Sequence, residues 1–148
     1  DLILLHSNFW ADAEQKKMDR NRVIAIVQKN STHFIQEAIP GLFASENRGK
    51  CADSIQLLIE KANKIPPREI AAATAGMRDR RSFAGKINHK SVAIIHGEHD
   101  PIISSQKMAL ELDFLDKKPH FIELKNVGHM SIWEAPSTLI KTLKSLII

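Results

Sequence analysis

Ile94-Ile95-His96-Gly97-Glu98-His99-Asp100-Pro101 and Asn126-Val127-Gly128-His129-Met130 are the two stretches on which the reading of this chain turns. Each follows a short apolar run with the character of a buried strand. The first stretch puts an aspartate just past a strand end, and the second puts a histidine there. In open α/β sheets, ligands bind at the carboxyl ends of the strands. A carboxylate beside an imidazole there holds one ring nitrogen as N–H and leaves the other free to take a proton. Taken singly, Gly97-Glu98-His99-Asp100-Pro101 is a turn former and Gly128-His129 a loop dipeptide. Together, in this order and after two strands, Asp100 and His129 are the residues that an acid–base reading would pair.

Outward from these segments the chain divides by period. Leu2 to Leu5 is fully apolar and reads as a strand buried on both faces, as in a parallel sheet. From about Ala11 to Lys29 the pattern is helical, with Val23, Ile24, Ile26 and Val27 mostly toward one face. Asn30-Ser31-Thr32 breaks that helix and caps a shorter one, about His33 to Ile39, which Pro40-Gly41 stops. Ser45 to Lys50 is a polar loop. Ala52 to Asn63 is amphipathic with Ile55, Leu58 and Ile59 as its buried stripe. Pro66 opens another helix, which runs through the alanine-rich Ile70 to Met77. A short helical turn covers Ser82 to Lys86.

Then the order becomes strand (Ser91 to His96), helix (Ser104 to Leu112), strand (His120 to Leu124) and helix (Ser137 to Leu146). That alternation calls for parallel strands joined by crossover helices. The helical block is too long for one crossover and reads as an insertion above the strand ends. The expected organisation is a core strand in 1–10, a helical cap or lid in 11–90, and the rest of the core in 91–148.

The stretch Val92 to Ile103 resembles the acid-bearing strand and turn of α/β-hydrolase-fold enzymes, the group of esterases, lipases, aminopeptidases and C–C hydrolases. Phe121 to Met130 resembles that family's histidine strand and loop, and Glu134-Ala135-Pro136 its entry to the final helix. Leu2 to Leu5 and the helical block are similar, more loosely, to its sixth strand and cap. The acid-before-base order also matches the family's Ser…Asp…His order, and the case for pairing Asp100 with His129 rests largely on this resemblance. The resemblance implies a partial α/β-hydrolase fold: about three parallel strands, flanking helices and a helical cap. It further implies a serine-type hydrolase acting on a small ester, amide or related acyl substrate. His129 would be the general base and Asp100 its orienting acid, with no metal or organic cofactor.

The departure from the family is large. No Gly-x-Ser-x-Gly occurs in the 148 residues, so the nucleophile and oxyanion-hole half is absent. Large α/β domains run to roughly 200–250 residues, which leaves a deficit of about 100. The start in mid-strand reads as a cut boundary. Ser7 follows a strand but lacks the flanking glycines of a strained elbow, and it reads as lining the site entrance. Glu98 stays open as an alternative acid. A zinc site from His96, His99 and His129 lacks any familiar ligand spacing. Cys51 has no strand-turn-helix setting for a nucleophile. Phe9, Trp10, Phe34 and Phe43 are candidates for an acyl pocket or for ordinary core. Met130, Ile132 and Trp133 are candidates for pocket wall or helix packing.

Composition narrows the partners. A hydrophobic share of 43% supports a packed core, and a net charge of +4 is only mildly basic. Arg78-Asp79-Arg80-Arg81 lacks interleaved aromatics, and the chain has no tyrosine, so no nucleic acid is expected. No run approaches the roughly 18 apolar residues of a membrane span. One cysteine permits no internal disulfide and fits a reducing, cytoplasmic setting. The competing expectation is a non-catalytic fragment or binding module. Its open Leu2–Leu5 edge would then pair with the missing N-terminal half or with a second copy.

Overall fold

In the computed structural model, which describes residues 2–88 and 91–147, three strands form one parallel sheet in the order β1-β2-β3. They are β1 (Leu2–Leu5), β2 (Val92–Gly97) and β3 (His120–Leu124). Leu4 pairs with Ile94, and Ile95 pairs with Ile122. Between β1 and β2 lie α1 (Glu14–Ala38), α2 (Ala52–Ala62), α3 (Pro67–Asp79) and α4 (Ala84–Ile87). After β2 come α5 (Ser105–Asp113), then β3, α6 (Ser131–Glu134) and α7 (Pro136–Ile147). No helix among the described residues is long and apolar enough to cross a membrane.

Every residue of β2 is buried, because it is central and covered on both faces. Val92 and Ile94 pack with Phe9, Ile103, Met108 and Leu115 on the α5 side. Ile95 packs with Leu124, Val127 and Leu139 on the α7 side. Burying one such side chain stabilises the fold by about 1.5–3 kcal/mol. These two layers hold the end of β2 fixed, and Asp100 starts from there.

β1 differs from the expectation of a strand buried on both faces. It forms an edge of the sheet, it is half-buried, and Leu2 is 43% exposed. Its apolar sequence suits a position inside a sheet, but among the described residues only β2 pairs with it.

The expected break at Asn30 is present. Its φ of −155° and ψ of 79° interrupt α1, and its Oδ1 accepts from the His33 amide at 3.1 Å. The helix begins three residues later than the sequence pattern predicts. Asp12 is drawn out of the helical stretch into ion pairs with Arg20 Nε at 3.0 Å and Arg80 Nη2 at 3.4 Å. Ile26, expected on the buried face, is 47% exposed, whereas Val27, expected there as well, is fully buried. The stretch expected as a plain loop contains a 3-10 turn at Ser45–Asn47. The short α6 was not anticipated.

Candidate active site

Asp100 is positioned by the exit of β2. The chain turns at Gly97-Glu98-His99-Asp100, with the Asp100 amide donating to the Gly97 carbonyl at 3.1 Å. The Asp100 side chain folds back on its own backbone. Its Oδ1 accepts from the amides of Ile102 at 2.8 Å and Ile103 at 2.9 Å. This leaves Oδ2 aimed away from the turn.

His129 is positioned by the loop after β3. That loop lies against the Asp100 turn, with Glu98 N donating to the Leu124 carbonyl and His99 N to the Val127 carbonyl. Gly97 and Gly128 allow this approach. A Cβ on Gly97 would lie 2.1 Å from the Gly128 carbonyl oxygen, and one on Gly128 would lie 2.3 Å from the Ala44 amide. Neither obstruction is a flexible side chain, so both positions require glycine. The His129 amide donates to the Leu42 carbonyl at 2.9 Å, which ties the loop to the helical block.

The two side chains meet. His129 Nδ1 lies 2.7 Å from Asp100 Oδ2. The Asp100 side chain is fully buried, and that of His129 is 23% exposed. Burial alone pushes the Asp100 carboxyl upward. The hydrogen bonds from His129 and the Ile103 amide, with the His6 ring nearby, outweigh it and hold the group well below the usual carboxylate range. An ionised carboxylate can only accept, so Nδ1 of His129 carries a proton, and in the neutral ring it is Nε2 that holds the free lone pair. The His129 ring also lines a cavity of about 590 Å³ that reaches α1, the end of α3 and the start of α5.

The other candidates fall elsewhere. Glu98 points out of the site, accepting from Lys125 Nζ and the Asn126 amide, each at 2.9 Å. His99 is exposed and contacts Glu46, away from His96 and His129, so those three histidines do not come together. Ser7 lines the cavity, as expected for an entrance, and Trp10 lines it too while packing on Phe9. Phe9 and Phe43 are core residues. Met130 and Trp133 pack around Phe43, Cys51 and Ile55, whereas Ile132 is exposed. Cys51 is buried, and burial pushes its thiol up, which leaves it protonated and unreactive. Within the basic run, Arg78 pairs with Asp79 and Arg80 with Asp12.

Two contributors were missed in the sequence. Glu134 is buried, and its Oε2 accepts from Ala44 N at 3.1 Å, Asn47 Nδ2 at 2.6 Å and Gly128 N at 2.9 Å. Its Oε1 accepts from Met130 N at 3.0 Å. One carboxylate therefore clamps both sides of His129 to the Phe43–Asn47 segment. Only its place just before Ala135-Pro136 distinguished it in the sequence. His6 follows β1 with a φ of 44° and brings a buried ring to 5.5 Å from that of His129. Nothing in the sequence marked this residue.

No protein-family model matches the sequence, and no curated protein matches it. Solved structures do match its fold. A thermophilic esterase from Thermogutta terrifontis, solved with malate bound, superimposes with a TM-score of 0.84 at 22% identity, covering 98% of this chain and 54% of the esterase. MGS-M2, an α/β hydrolase from a Medee basin deep-sea metagenome library, gives 0.79 at 12% identity, with 98% and 55% covered. A bromoperoxidase from Bacillus anthracis gives 0.75 at 13% identity, with 94% and 53% covered. The chain spans about half the length of these proteins. Likeness at such identities establishes the fold alone: three parallel strands with flanking helices, the C-terminal part of the α/β-hydrolase fold.

Proposed function

We propose that this chain supplies the acid and base of a serine-type α/β hydrolase that acts on a small ester, amide or related acyl compound. The observation that carries this reading is the 2.7 Å contact between His129 Nδ1 and the buried, ionised Asp100. In the proposed cycle Nε2 of His129 takes the proton from an attacking serine and later returns it to the leaving group. Asp100 keeps the ring in the right tautomer and stabilises the imidazolium that forms. The serine and the oxyanion donors belong to the half of the fold that this sequence lacks. The helical block of residues 14–87 acts as a lid, and the cavity of about 590 Å³ beneath it is the acyl site, within the usual size range for small ligands. The open edge of β1 is where the other half of the fold joins the sheet. A stand-alone binding module is less favoured, because it would have no need of an acid–base pair oriented in this way.

A fluorophosphonate probe, which labels activated serines, tests the reading directly. The whole protein is expected to be labelled, and its His129→Ala variant is not. An unlabelled wild type that still turns over esters would overturn the serine-type mechanism.

The state of Asp100 has a separate pH signature. Its folded-state pKa is depressed. Its contribution to stability is therefore complete above the unfolded-state value, about 3.9, and is lost as pH falls through the lower folded value. A ¹³C NMR titration of the Asp100 carboxyl is expected to show no inflection near the ordinary aspartate value. A normal inflection there would mean that the carboxylate is not held by His129 and the backbone.

A further inference from the structure

His6 and His96 are buried beside Asp100, yet the acid–base pair does not use them. His96 stands in the middle strand with a fully buried side chain, and its Nδ1 lies 3.8 Å from Asp100 Oδ2. His6 comes from the end of β1, and its Nδ1 lies 3.5 Å from the same oxygen. Neither distance is that of a good hydrogen bond. All four ring nitrogens of these two histidines lack a hydrogen-bond partner among the described residues. Buried polar groups left this way are costly, and two adjacent imidazoles in that state need an explanation.

We propose that His6, His96 and Asp100 form a binding site for a divalent transition-metal cation of the Zn²⁺ type. Their ligand atoms all lie within 4.8 Å of one another. Zn²⁺ takes imidazole nitrogen and carboxylate oxygen at about 2.0–2.2 Å, which places tetrahedral ligand atoms about 3.4 Å apart. The two separations from Asp100 Oδ2, 3.5 and 3.8 Å, need a change of only a few tenths of an ångström, and the His6 and His96 nitrogens, within 4.8 Å of each other, close by a side-chain rotation. Two imidazoles and one carboxylate select against Mg²⁺ and Ca²⁺, which require oxygen-rich shells. His6 also lines the cavity, which provides an entry path and an open fourth position.

The cation would share Oδ2 with the His129 N–H and draw charge from the carboxylate that the imidazolium needs. An occupied site therefore inhibits turnover. That consequence rests on the acid–base reading, but the metal binding does not.

The test is a Co²⁺ titration of the whole protein, read by the visible absorption of the bound ion. One equivalent is expected to bind, to be displaced by Zn²⁺, and to be unaffected by His99→Ala. His96→Ala and His6→Asn are each expected to weaken binding by more than about tenfold, since even outer-shell changes act on that scale. Asparagine at position 6 tolerates the left-handed backbone, so that variant guards against misfolding. No stoichiometric Co²⁺ band, or a band that persists unchanged in both variants, would overturn the site. Binding without loss of ester turnover would leave the site standing and remove Asp100 from the mechanism.

Discussion

Replacing Asp100 with asparagine is expected to lower kcat/KM of the whole protein by about 10⁴-fold, the scale seen when an orienting aspartate is neutralised. The substitution keeps the size of the side chain. An amide oxygen in place of Oδ1 would still accept from the Ile102 and Ile103 amides, so the turn after β2 is preserved. The amide nitrogen would then face His129 Nδ1 and donate to it. This moves the ring proton to Nε2, where the base needs a lone pair. The variant should therefore fold and bind substrate while failing at proton transfer. Steady-state kinetics with a melting curve separates these effects. A loss of turnover at nearly unchanged Tm supports the assignment, and near-normal kcat/KM would refute it.

Replacing Glu134 with alanine is expected to destabilise the protein by about 3–5 kcal/mol, because several buried donors, each costing about 1–3 kcal/mol when left without an acceptor, lose theirs together. Four donors lose their acceptor at once: three backbone amides and the Asn47 side chain. For a domain near this size the loss corresponds to a fall in Tm on the order of 10 °C. Turnover should fall as well, because Gly128 and Met130 flank His129 and the clamp sets where that ring lies. Glu134→Gln gives an ordered comparison. Its oxygen can serve the three donors on Oε2, but its NH₂ group would face the Met130 amide. The expected order of Tm is wild type, then glutamine, then alanine. A Tm for Glu134→Ala within the error of wild type would show that the clamp is not structural.

The parts legible in the sequence were those with a local physical cause. Val92 to Ile95 is apolar without interruption, which fits a strand covered on both faces, and β2 is so covered. Asn30 cannot serve as an ordinary helix residue and a cap at once, so the break in α1 was visible. Asp100 and His129 each follow an apolar strand in a parallel alternation, so both had to appear at the same end of the sheet. The distance between them was beyond sequence reasoning. It depends on the register of β2 with β3 and on two glycines that let the turn and the loop touch.

Elsewhere the sequence misled or was silent, because burial is decided by neighbours far along the chain. Leu2 to Leu5 has the composition of an interior strand but is an edge in this sheet. Glu134 looked like an ordinary acid before a helix, and its four partners come from positions 44, 47, 128 and 130. His6 and His96 are 90 residues apart, and only the pairing of β1 with β2 brings both to Asp100. The sequence by itself determined the alternation of elements, the parallel sheet, and the residue types available at its carboxyl end. Those follow from periodicity and strand exits, which act over a few residues. The tertiary structure alone decided which of those side chains touch, because hydrogen-bond geometry and desolvation depend on contacts that no local pattern encodes.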